Sequence, residues 1–345
     1  MTRHCPQEPA LTEDIQRCPR YPASVTENES IDVSVEEVID AVADDAERAP
    51  DDIRRALDPF TDDGVLTPAA IDATISDVSK ILATAETRVD LAALAHEDAK
   101  AAADAVADLD IVAVRLDAFD DRLTALNSQT AELGQALRIS LDSIDTPEAV
   151  YRAAIELREA AAAAQRVVRV AEDLTTDLES FENWLGSPDR RREELATDVD
   201  IVAESIEELS AVVDRVDEAD ESLAVEWADA TVRARVLELS IADLRTEAAD
   251  LQRWAVREND SLSEELPQRI DAIARRAAAL SDQLEELASP GWRDRFDDDL
   301  EEVRKEIARF DPPVVWDRVQ AALADTRYAA SIDDEPPMSE DGSNG

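Results

Sequence analysis

Apolar residues recur at alternating steps of three and four along most of this chain, the 3.5-residue period that keeps one seam of a helix facing a partner. A first seam runs through Ile71, Ile75, Val78, Leu82, Ala85, Val89, Ala92, His96, Ala99, Ala103 and Val106. The register slips over residues 106–112 and resumes through Leu109, Val112, Leu116, Phe119, Leu123, Leu126, Thr130, Leu133 and Leu137. A second seam begins at Val150 and passes Leu157, Ala164 and Ala171, then slips before Leu174, Leu178, Phe181 and Leu185. The third is the longest, unbroken in spacing from Leu195 to Ala255, with Asp220 its one polar member. That spacing predicts a single helix over 188–258, roughly 105 Å long at about 1.5 Å per residue. Further helices follow around Ile270–Leu287, Phe296–Phe310 and Trp316–Leu323.

The breaks share a grammar. Thr67-Pro68, Thr146-Pro147 and Ser187-Pro188 each place a capping hydroxyl before a proline suited to the first helical position, and Ser289-Pro-Gly291 ends the helix before it. The prediction is an all-α protein, an elongated antiparallel helical bundle or coiled coil over 68–290. A disordered leader (1–30) and a small helical cap (31–67) precede it. C-terminal helices (291–330) and a disordered acidic tail (331–345) follow. Short connections favour helices folded back on one another; a straight parallel dimer is the alternative.

Charge changes the setting rather than the fold. The 345 residues carry 82 Asp plus Glu against 35 Lys plus Arg, a net charge of −47. Only Lys80, Lys100 and Lys305 are lysines. Such a surface repels itself, and concentrated salt relieves that repulsion, so we expect a cytoplasmic protein of a halophilic archaeon. A field this negative excludes phosphate backbones as partners. No run of about 18 apolar residues is present to span a membrane.

Candidate chemistry is sparse. Cys5 and Cys18 stand twelve residues apart beside His4, in a proline-bearing segment with no fourth ligand in view, a poor match to a metal site. That segment reads as a leader, or as sequence upstream of the start, since the next methionine is Met338. His96 sits on the first seam and reads as a register residue. The stretch Asp62-Asp63-Gly64 imitates the middle of a calcium loop, but the outer ligand positions would fall on Pro59 and Ala70; it reads as a turn. Residues 34–67 resemble part of a winged helix without a recognition helix, a wing strand or a basic face. No Walker or Rossmann glycine pattern occurs, so no catalytic residue, metal or cofactor is assigned. The residues singled out for interaction or register are Asp220, polar on its seam, and Trp227, Trp292 and Trp316.

Three stretches carry a resemblance: Val78-Ser-Lys-Ile-Leu-Ala-Thr-Ala-Glu-Thr-Arg88-Val-Asp-Leu91, Trp227-Ala-Asp-Ala-Thr-Val-Arg-Ala-Arg-Val-Leu237, and Trp292-Arg-Asp-Arg-Phe296 with Phe310-Asp-Pro-Pro-Val-Val-Trp316. They look like haloarchaeal proteins described as halo transducer or transducer-like coiled-coil proteins. The resemblance spans roughly residues 34–328 and implies a helical signalling protein. This chain lacks the membrane helices and the Gly- and Ala-rich hairpin tip of such receptors, so no functional residue carries over. The expectation is a non-enzymatic coiled-coil interaction protein with a protein partner or self-association, acting as a transducer-like signalling adaptor. A structural or chromosome-associated rod is the alternative. Thermal unfolding should shift upward as KCl rises from about 0.2 M to roughly 3 M, because the Debye length shrinks to about 3 Å near 1 M. An unchanged midpoint in circular dichroism would remove the halophilic reading.

Overall fold

The computed structural model describes residues 33–42, 49–140, 146–216 and 223–326. The leader with His4, Cys5 and Cys18, the acidic tail and Asp220 lie outside them. The fold is an all-α helical bundle with ten helices among the described residues and one miniature sheet. Among these residues no helix is long and apolar enough to cross a membrane. The chain divides into two compact units, residues 1–81 with 135–162, and residues 82–134 with 163–345.

The first unit begins with β1 (Val33–Ser34), α1 (Val35–Val42) and α2 (Pro50–Leu57). Ser34 and Glu37 form a capping box: Ser34 N donates to Glu37 at 2.8 Å, and Glu37 N donates to the Ser34 hydroxyl at 3.3 Å. The next strands, β2 (Thr61–Asp62) and β3 (Val65–Leu66), form a hairpin whose turn has Asp63 at φ 49° and Gly64 at φ 80°. Two consecutive positive φ values are what a two-residue turn matched to strand twist requires, and Gly64 adopts its own without a Cβ penalty. The turn expected at Asp62-Asp63-Gly64 is therefore the tip of a hairpin. The sheet order is β1-β3-β2, with two helices between the first two strands. These strands are not visible in the sequence because each is only two residues long, too short to show alternation. Val38, Ile39, Ile53, Leu57, Phe60 and Leu66 close this small core.

Helices α3 (Pro68–Ala103), α4 (Asp110–Ser140) and α5 (Pro147–Leu185) follow. The register slip of the first seam is a real interruption: residues 104–106 form a 3₁₀ turn before α4 begins. The three expected hydroxyl–proline starts behave alike, and Ser289-Pro290, expected only as a break, is a fourth. Thr67, Thr146, Ser187 and Ser289 accept from the backbone N–H of Ala70, Ala149, Arg190 and Trp292 at 3.2–3.3 Å. Each satisfies a donor that the first helical turn leaves without a partner.

The third seam differs from its prediction. It is two helices, α6 (Pro188–Val216) and α7 (Ala224–Arg257), and they pack against each other. Ion pairs fix the direction: Arg191 meets Glu258 at one end, and Arg215 meets Glu226 at the other, so the two run antiparallel. The spacing hid the reversal because the stretch between Val216 and Ala224 keeps the seam in phase on both sides. Asp220, the one polar seam position, falls between these two helices. Helix α8 (Glu265–Leu287) runs back along both, with Arg235–Glu285 and Arg245–Asp271 to α7 and Asp200–Arg269 and Glu207–Arg276 to α6. Helices α9 (Pro290–Ile307) and α10 (Trp316–Ala324) complete the unit.

Helix α7 is enclosed by α6, α8 and α9. Leu237, Ile241, Leu244, Ala248 and Leu251 are buried. Replacing Leu244, 5% exposed, with Asp would place an unpaired carboxylate there. We expect a loss on the order of 4 kcal/mol, read as a lower melting temperature in concentrated KCl; an unchanged melt would refute the seam.

Candidate functional site: a carboxylate cluster around Arg115

Four carboxylates in the second unit converge on one guanidinium. Glu194 and Asp198 stand one turn apart on α6, and Asp243 and Glu247 one turn apart on α7, so each pair shares a helix face. Arg115 on α4 donates from Nη2 to Glu194 at 2.6 Å and lies 3.5 Å from Glu247 Oε1. Glu247 is buried, and its Oε1 has no hydrogen-bond partner among the described residues. Burial pushes its carboxyl up to about 7; Arg115 opposes this, and Asp198, Glu194 and Asp243 add to it. Burial likewise raises Asp198, helped by Glu194, and Asp243.

Asp243 is held differently. It accepts from the Val314 backbone N–H and from the Trp316 indole N–H, both at 3.0 Å. These bonds favour its ionised form and counter the upward effect of burial.

Beside the cluster runs an aromatic column. Phe119, Phe181, Trp184 and Trp254 follow one another with ring centroids 5.5–5.8 Å apart. Arg115 lies 4.2 Å over Trp184, and Arg191 lies 3.8 Å over Trp254. Flat guanidinium groups stack on such rings while keeping their edges for carboxylates. One turn further along α7, buried Asp250 accepts from Ile111 N at 2.9 Å, capping the start of α4 from a distant part of the chain. Asp108–Arg257 and Asp110–Arg253 continue the contact between these helices.

The aromatic candidates separate. Trp227 is buried on α7, donates to the Leu284 carbonyl at 2.9 Å and lies 5.8 Å from buried Trp292 on α9. The structure brings these two together in the interior, away from a surface where a partner would find them. Trp316 is half-buried and joins the carboxylate cluster through Asp243. His96 keeps its seam position, buried, with no hydrogen-bond partner for Nε2 among the described residues. No group of three or more His, Cys, Asp or Glu placed to hold a metal ion occurs among the described residues. A groove of about 430 Å³ between α7 and α9, lined by Val232, Arg235, Leu300 and Arg304, lies apart from the cluster and contains none of its members.

Sequence reasoning missed Arg115, Glu194, Asp198, Asp243, Glu247 and Asp250. A signal existed on α7: Asp243, Glu247, Asp250 and Trp254 repeat the four-three spacing one position ahead of the apolar seam. Two adjacent stripes mark a helix buried over a wide arc. On α4 and α6, nothing distinguished Arg115, Glu194 or Asp198 from solvated charges.

The fold and the cluster define an all-α helical-bundle protein with ionisable groups packed between its helices. No family model, no curated protein and no solved structure matches this chain.

Glu247 gives a sign for pH dependence. Its folded pKa of about 7 exceeds the unfolded 4.5, so the folded state binds more protons between those values. Its contribution therefore favours the fold at pH 5 and is lost as pH rises toward 8, by up to about 3 kcal/mol. Glu247→Gln should flatten that dependence and stabilise the protein at pH 8, as measured by urea unfolding. A stability difference between pH 5 and pH 8 that is the same in the variant would refute this assignment.

Proposed function

We propose that this chain is a non-enzymatic, soluble interaction protein of a halophilic archaeon, a transducer-like adaptor that binds another helical protein in the cytoplasm. The carrying observation is a pair of leucines on α3. Leu91 and Leu94 are 44% and 63% exposed, although 34% of the chain's residues are charged. Three residues apart, they lie on neighbouring turns of one face. They project away from the seam of Val89, Ala92, His96 and Ala99, which is buried. Large apolar side chains in adjacent exposed positions suit a helix-on-helix contact. The first transducer-like stretch, Val78–Leu91, ends on the first of the two.

The resemblance of residues 34–67 to part of a winged helix supports the second reading, a chromosome-associated rod. Its α2 carries Arg54 paired with Glu36 and Asp51, and Arg55 paired with Asp52. With these cations already engaged, a chromosomal contact through this module would be made to protein rather than to the phosphate backbone.

Native co-purification in concentrated KCl should recover a stoichiometric helical partner. The double substitution Leu91→Glu with Leu94→Glu should abolish recovery and leave the melting temperature within about 2 °C, as expected of surface changes. Recovery of no partner, or undiminished recovery by the variant, would refute the adaptor reading. Self-assembly in light scattering would move the assignment to the rod.

A further inference from the structure

Most arginines of the second unit meet a carboxylate. Arg122 on α4 pairs with Asp177, and Arg269 and Arg276 on α8 pair with Asp200 and Glu207. Arg166 and Arg169 on α5 are among the exceptions. Both are exposed, and among the described residues neither makes an ion pair or a side-chain hydrogen bond. In a chain with 82 acids against 35 Lys plus Arg, carboxylates are in excess, so composition does not explain two unpaired guanidinium groups together. Three residues apart, they share one side of α5. Val170, 44% exposed, stands beside them.

The same side of the unit carries the exposed leucines. Arg88 on α3 reaches Glu172 on α5 at 3.1 Å, which sets the exposed sides of these two helices next to each other. Leu91 lies one turn from Arg88, and Arg169 lies one turn from Glu172, so each follows its member of that pair along one helix side. Leu94 and Arg166 continue the two rows by a further turn. The face is therefore apolar along α3, neutral across Arg88–Glu172 and cationic along α5. Asp173, one turn from Arg169, is exposed and does not pair with it.

We propose that this face docks an acidic amphipathic helix of the partner, with its apolar stripe on Leu91 and Leu94 and its carboxylates on Arg166 and Arg169. The inference rests on the adaptor reading and adds the charge of the partner. Apolar area alone accepts any amphipathic helix. The two guanidinium groups discriminate, because a carboxylate there gains forked, charge-assisted hydrogen bonds whereas a lysine meets a like charge. A helix about 10 Å across, laid over Arg88–Glu172, touches both rows. The net charge of −47 does not forbid an acidic partner. Near 1 M salt the Debye length is about 3 Å, so carboxylates elsewhere on the chain are screened while groups in direct contact still interact.

Two peptides of about 20 residues, stapled so that each is helical alone, test this. Both carry the same leucine stripe, flanked by Glu in one and by Lys in the other. Fluorescence anisotropy with the full chain in about 1 M KCl should show the Glu-flanked probe bound about tenfold tighter, as two exposed guanidinium–carboxylate contacts would give. Arg166→Glu with Arg169→Glu should invert the preference, with helicity unchanged by circular dichroism. Leu91→Ser with Leu94→Ser should weaken both probes and keep their ratio. Equal wild-type affinities, a preference that survives the arginine substitutions, or no binding of either probe would overturn the proposal. The first two of these, with binding that still needs the leucines, would leave the adaptor reading intact; co-purification decides that reading separately. A doubled mass in light scattering that the arginine substitutions reverse would assign the face to a second copy and overturn the proposal as well.

Discussion

The burial of α7 sets the terms for the second unit. A helix covered by α6, α8 and α9, and met by α4 and the C-terminal segment around Trp316, leaves few positions free for solvated charge. Every buried polar group on it therefore needs a partner. Asp250 finds one in the open N-terminus of α4, Asp243 in the C-terminal segment, and Trp227 in a carbonyl of α8. Glu247 finds only a shared guanidinium. The geometry of the cluster follows from this unequal distribution rather than from any pocket.

Arginine suits the role that it holds here. A lysine at 115 would offer a point charge, whereas the guanidinium covers the Trp184 ring and still reaches two carboxylates from its edge. Arg191 repeats the device at the junction of α5 and α6, where it covers Trp254, donates to the Leu185 carbonyl at 2.6 Å and pairs with Glu258. A chain with 32 arginines and three lysines has the means to bury cations against aromatic rings and carboxylates together. The ion pairs linking α6, α7 and α8 use the same side chain on partly exposed faces, where each contributes little singly and concentrated salt weakens it further.

Much of the helical architecture was legible because the seams are long and the starts are marked by hydroxyl–proline pairs. Ile71 to Ala103 and Ile270 to Leu287 read directly as helices. The reversal between Val216 and Ala224 was not legible, since a hairpin that keeps its seam in phase looks like one continuous helix. The strands of the first unit escaped for a different reason: two residues cannot display a period of two. The carboxylate cluster was the least accessible feature. With 82 acids in the chain, spacing alone does not separate Glu194, whose surroundings are made by α4 and α7, from Glu207 on an exposed face of the same helix.

The bond between Asp250 and Ile111 joins residues 139 positions apart. Such a closure forms only once the intervening helices have been placed, and the entropy of bringing its ends together is lost before the contact returns anything. Helix α4 thus begins life with a bare N-terminus that local sequence does not cap. A chain emerging from the ribosome can build α4 early, yet its start is completed only after α7 has been synthesised. The two halves of the second unit are in this sense tied in time as well as in space.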